Sequence, residues 1–271
     1  MAINRVEREL RKIISATQRS RRTDVLLLPH SEQLIEKERE ALKAFFGKDI
    51  AVPEPPVELF QTLENMLGLG ITGFEPHFLP QVSLTEEDKL PGWKVKPSSW
   101  LWEEIKECNI STDASGLKEG WYLVDRRRKP RYDNGNQRYN NDYFESIMQE
   151  LRKTGKIQEY SFVPTTSRFG ASPAEIEQVI LPEFARTVDT RGEAANKTYM
   201  QFNVWGNMYY PEWGKTTTLE WFVDRSDDYV CLCGGRSDGG GLAHVSSSLW
   251  PGERRDFIAF SPVIRFLSKP R

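Results

Sequence analysis

CLCGGRSDGGGLAHVSSSLWPGERRDFIAFSPVIRF, residues 231–266, is the segment from which the rest of the chain is best read. An apolar run, Val230–Cys233, enters the double glycine Gly234-Gly235. Small and polar residues follow to Ser246-Ser247-Ser248, then the step Trp250-Pro251-Gly252, then an apolar close over Phe257–Phe266. Gly, Ser, Ala and Asp carry too little side-chain volume to fill a core. Leu242, Val245, Leu249, Trp250, Ile258, Phe260, Val263 and Phe266 supply that volume between them. The pattern predicts a rigid frame of strands that presents small, replaceable residues outward, the placement expected where function rides on loops over a fixed scaffold.

Outward from this segment, the chain from Thr198 reads with period two. Met200, Phe202 and Val204 alternate with polar residues, and Thr218–Val223, Tyr229–Cys233, Ala243–Val245 and Phe257–Phe266 read as short strands separated by Gly, Ser, Asp and Pro. Earlier residues read mainly as helices. Val6, Leu10, Ile13 and Ile14 mark one over 2–20. Ser31 can cap Glu32–Phe46, which Gly47 can end. Further helices are predicted over Pro56–Leu67, Ser98–Cys108, Asp142–Leu151 and from Ser172-Pro173 to Arg186, with a strand at Gly120–Asp125. Helices first and strands mostly last predict a single α+β domain over 1–271, with a helical portion 1–110 packed on or inserted into a portion 115–271.

Composition narrows the function. A net charge of −2 argues against a chain dedicated to coating nucleic acid, which would be strongly basic. One local exception is Arg126-Arg127-Arg128-Lys129-Pro130-Arg131, flanked by Trp121, Tyr122, Tyr132 and Tyr139, because basic charge among aromatics suits a single-stranded nucleic acid. The competing reading is a solvated loop. Cys231 and Cys233 have one residue between them, short of structural-zinc spacing, and read as buried small hydrophobes. His30, His77 and His244 stand apart, and no phosphate loop, nucleophile elbow or His-Glu-x-x-His is present. No cofactor or metal is expected. MAINRVERELRKII has no continuous apolar run and no segment approaches a membrane span, so synthesis in the cytoplasm is expected, with the cell surface or a virion reached by a route not visible in the chain.

Leu219-Glu220-Trp221, then Cys231-Leu-Cys-Gly-Gly235, then the Gly/Ser-rich stretch, then Ile258-Ala-Phe-Ser-Pro-Val-Ile-Arg-Phe266 together resemble the C-type lectin fold. More narrowly they resemble the variable proteins of diversity-generating retroelements, of the archaeal, nanoarchaeal type. The resemblance covers about the last 60–70 residues. It departs where Ala259-Phe260-Ser261 stands in place of the family's Gly-Phe-Arg, and where Arg236-Ser237 stands in place of the Trp of the formylglycine-generating branch. The resemblance implies a non-catalytic binding protein with massive sequence variation over a region of about 230–266. Its partner would be a macromolecule, a protein on another cell or virus. The displayed positions it implies are Arg236, Asp238, Gly239, Ala243, His244, Ser246, Ser247, Ser248, Arg255 and Phe257. The scaffold it implies is Gly234, Gly235, Val245, Trp250, Phe260 and Val263. An oxidoreductase of the formylglycine-generating type, using Cys231 or Cys233, and a single-strand nucleic-acid binder using Arg126–Arg131 are the competing expectations.

Overall fold

The computed structural model describes residues 28–226, 230–248 and 250–267. It is a mixed α+β structure. The helix expected over 2–20 lies outside the described residues. Helix α1 is Leu28–Phe46 and α2 is Val57–Gly68. Strand β1, Phe74–Leu79, and the short β2, Val82–Ser83, precede α3, Ser99–Lys106, whose first turn is capped by Ser98 accepting from Trp100 N. The short β3, Gly116–Leu117, then leads to β4, Gly120–Asp125, and to α4, Phe144–Lys153. A continuous helical segment α5 covers 173–187, with α-helical ends Pro173–Glu175 and Leu181–Thr187 and a π-helical middle Ile176–Ile180.

Two four-stranded sheets carry the rest. Strand β5 is Glu193–Asn196, and helix α6 is Tyr199–Met208. Strands β6, Leu219–Ser226, β7, Val230–Gly234, β8, Val245–Ser248, and β9, Ile258–Ala259, form one sheet in the order β8-β7-β6-β9. The last strand, β10, Pro262–Phe266, pairs antiparallel with both β4 and β5 in a second sheet of order β1-β4-β10-β5. Asn196 joins the sheets: it pairs with Pro262, donates from Nδ2 to Trp221 O at 2.6 Å and accepts from Ser261 N at 3.2 Å. A single apolar cluster runs from Leu42 through Trp121, Trp205 and Trp221 to Phe266, so the helical first part shares its core with both sheets.

Four expectations are corrected. Residues 198–204 are not a strand but the start of α6, because every residue from Tyr199 to Asn207 is buried and no one-sided helical stripe survives. The sign of the helix was its capping box, in which the Thr198 hydroxyl accepts from Gln201 N and the Gln201 side chain accepts from Thr198 N. The strand expected at Ala243–Val245 begins at Val245, since Ala243 closes a tight 3-10 turn, Gly241–Ala243. Phe257–Phe266 is not one strand but β9 and β10, which belong to different sheets. Helices first and strands last also fails at β1, an edge strand whose Pro76 has no N–H to offer a ladder and so suits an outer position.

Candidate functional site

The segment between β7 and β8 has a backbone held from several sides. Gly235 N donates to His244 O at 3.0 Å, closing the neck of the loop. Gly239 N and Gly241 N both donate to Arg236 O, at 3.1 and 3.0 Å. From outside, Ser237 N donates to Thr216 O at 2.7 Å and Ser98 N to Ala243 O at 3.2 Å. Helix α6 fastens the Leu242 turn: Asn203 Nδ2 donates to Leu242 O at 3.0 Å and Tyr199 Oη to Ala243 O at 2.8 Å. The Leu242 side chain seats against Gly206, where a Cβ would lie 2.5 Å from Leu242 Cδ2. A loop fixed in this way loses little further freedom when something binds it.

Loop 250–257 is held likewise. Ala174 N donates to Pro251 O at 2.9 Å, Gly170 N to Arg255 O at 3.0 Å and Leu219 N to Phe257 O at 2.9 Å. Arg254 pairs with Glu175 of α5 at 2.7 Å. Tyr132 Oη donates to Asp256 Oδ2 at 2.8 Å, and its ring meets Phe257 edge-on with centroids 6.3 Å apart.

On these backbones the side chains divide. Asp238, Gly239, Ser247 and Arg255 are exposed, and Arg236, Ala243, His244, Ser246 and Phe257 are half-buried. Ser248 closes β8, and its backbone pairs with Cys231. Gly234, Gly235, Val245, Phe260 and Val263 are buried. Trp250 departs from the expected scaffold role: its side chain is 67 % exposed, and its φ is +38°. The tight turn at the Trp-Pro step throws its ring outward, where sequence volume alone suggested core. Arg236 Nε lies 2.6 Å from Asp238 Oδ1. His244 Nδ1 accepts from Arg236 N at 3.3 Å, and burial, with the Arg236 charge second, holds its imidazole below the ordinary value.

Beneath the loop lies a buried set of charges that the sequence did not reveal. Lys197 Nζ is 3.2 Å from Glu220 Oε2, both 1 % exposed; the distance is that of an ion pair, while the alignment is too poor for a hydrogen bond. Lys129 donates to Trp213 O at 3.2 Å and lies over the Phe202 ring. Its ammonium is pushed down to about 8 by burial, with Glu220 opposing that shift. Nearby Arg168 pairs with Asp125 at 3.0 Å and Asp142 at 2.6 Å. Burial alone would raise the Asp125 carboxyl, but Arg127 and Arg168 outweigh it and bring it to about 2. All these groups sit in sequence as ordinary charges, and only contact distinguishes them.

The basic run is partly drawn into the fold. Arg126 pairs with Glu75, Arg127 with Asp125, and Lys129 is buried. Arg128, whose Nη2 donates to Lys215 O, and Arg131 are exposed. Pairing and burial thus withdraw charges on which a basic groove for a single strand would draw. Cys231 and Cys233 are buried, as expected, and burial raises both thiols, Cys233 to about 11. Cys233 Sγ faces Ser246 Oγ at 3.6 Å. Among the described residues no group of three or more His, Cys, Asp and Glu could hold a metal ion, and no helix is long and apolar enough to cross a membrane.

No protein-family model matches the chain, and neither the curated proteins nor the solved structures contain a match.

Proposed function

We propose that this is a non-catalytic ligand-binding protein, built on a C-type lectin-like scaffold, in which residues 236–257 display side chains for recognition of a macromolecular target, a protein. The observation that carries the reading is the division just described. The nine displayed positions from Arg236 to Phe257 whose side chains are described are all exposed or half-buried, while Gly234, Gly235, Val245 and Phe260 between and beside them are buried. A surface that tolerates substitution needs that division, because changes at exposed positions away from core contacts typically alter stability by less than about 0.5 kcal/mol. The resemblance of Cys231–Gly235 and Ile258–Phe266 to the variable proteins of diversity-generating retroelements supplies the reason for such tolerance.

The test is genomic and biochemical together. A near-copy of the DNA encoding residues 230–266 should lie beside a reverse-transcriptase gene, with mismatches confined to template adenines. A library randomised at Arg236, Asp238, His244, Ser246, Ser247 and Arg255 should retain cooperative unfolding in most members. Mismatches spread over all four bases, or a library that mostly fails to fold, would sink the reading.

A further inference from the structure

Beneath the display loop, Lys197 and Glu220 form a buried pair whose geometry suits a salt bridge poorly. Lys197 lies between β5 and α6, and Glu220 stands in β6, paired with Gly234 of β7 and Ala259 of β9. Nζ and Oε2 are 3.2 Å apart, and each side chain is 1 % exposed. Yet neither Lys197 Nζ nor either Glu220 oxygen makes an aligned hydrogen bond. A buried ion pair repays its desolvation only when its geometry is good and further hydrogen bonds satisfy the remaining donors and acceptors. Here an ammonium and a carboxylate are dry and adjacent, and neither condition is met.

Three features favour reaction between them. First, the backbone fixes both residues: Asn196 Nδ2 donates to Trp221 O at 2.6 Å, and Val223 N donates to Lys197 O at 3.0 Å. Groups held at contact distance have already lost the freedom that an encounter would cost. Second, aromatic rings flank the amine, with Lys197 Nζ 3.9 Å from the Trp213 centroid and 5.9 Å from that of Phe202. Burial pushes the Lys197 ammonium down, against the opposing pull of Glu220, towards the neutral amine that acts as a nucleophile. Third, Lys129 is a second buried cation on which the Glu220 charge acts. Its positive charge favours the negative charge that builds on a carboxyl oxygen under attack.

We propose that Lys197 and Glu220 join spontaneously in an intramolecular isopeptide bond. The ammonium gives a proton to the carboxylate, and the amine Nζ attacks Cδ. A nitrogen proton then passes to the hydroxyl, and the Cδ–O bond breaks to release one water. One ammonium and one carboxylate become one amide and one water, with charge conserved and no oxidant or co-reactant consumed. Two buried charges disappear, and with them the cost of keeping them dry. The bond ties the β5–α6 junction to β6, and a cross-link across 23 positions restricts the unfolded chain. It fixes the frame under the display loop without using a displayed residue, and it does not depend on what that loop recognises.

Mass spectrometry of the full chain under denaturing conditions tests it. The intact protein should be lighter than its sequence by the mass of one water. Trypsin should release a peptide with two N-termini, Gly192 and Thr216, branched between Lys197 and Glu220, and fragmentation should show both. The paired variant Lys197→Met/Glu220→Leu replaces both charges with apolar side chains, so it should fold and keep its full sequence mass. A wild-type chain at its full sequence mass overturns the proposal. So does a lost water that maps to another position, such as Asn134-Gly135, or the same loss in the paired variant.

Discussion

The ammonium nitrogen of Lys129 lies 2.7 Å from the point that a Cβ on Gly235 would occupy. The buried cation thus packs directly under the turn that begins the display loop. Gly235 also has φ of +86°, in the left-handed region that side chains disfavour. Sterics and backbone conformation therefore demand glycine at this position for separate reasons.

Gly235→Ala should cost about 2–4 kcal/mol, combining a left-handed alanine with displacement of Lys129 and Phe202. Gly252→Ala is the control: nothing lies within 4 Å of its added Cβ, and its φ is not positive. That variant should be neutral within about 0.5 kcal/mol. Urea unfolding of the two variants side by side checks the contrast.

Lys129 makes stability depend on pH in an unusual direction. Its folded value, about 8, lies below its ordinary 10.5. Between these values the unfolded chain holds a proton that the folded chain has released, so stability rises with pH across that window. Lys129→Met should remove the rise, on the order of 2 kcal/mol. The quantity to follow is the wild-type minus variant difference in unfolding free energy from pH 7.5 to pH 10, which cancels the other titrating groups. A flat difference would place the Lys129 ammonium in an environment as favourable as water.

Glu38 is the polar anchor of α1. It is fully buried and accepts from His77 Nδ1, Phe78 N and Tyr209 Oη, each at 3.0 Å. His77 Nε2 in turn contacts Tyr210 Oη at 2.6 Å. Glu38→Leu should cost about 3–5 kcal/mol, because it strands buried donors rather than removing a matched pair. Hydrogen exchange should then accelerate in α1 before it does in β4 or β10. Uniform acceleration would mean that Glu38 stabilises the whole domain instead of tethering one helix.

The cysteines give a simple chemical test. Cys108 is exposed, while Cys231 and Cys233 are buried with raised thiols. Only the thiolate reacts, so a disulfide reagent at neutral pH should modify Cys108 alone in the native protein and all three cysteines in denaturant. Rapid native modification of Cys231 or Cys233 would restore thiol chemistry as a candidate activity.

Local pattern was enough for the elements that stand on local rules. Gly120–Asp125 reads as a strand and is one, and the helices at Pro56–Leu67 and Ser98–Cys108 were visible to within about two residues. The helix expected at Glu32–Phe46 ends where Gly47 suggested but begins at Leu28, so Ser31 lies inside it and does not cap it. The division of the C-terminal segment into small outward residues and bulky buried ones was also legible, since side-chain volume is a property of the residue. Helix α6 was not, because a helix surrounded by protein on every side has no polar face to reveal its period. Trp250 was not, because a left-handed φ at one residue turned a core-sized ring toward solvent. Nor could spacing show that Lys129, in the middle of a basic run, would be the charge drawn into the interior beneath Gly235. Partners such as Lys197 and Glu220, or Arg168 and Asp125, stand 23 and 43 positions apart, and only the closing of the two sheets around α6 brings their charges within reach of one another.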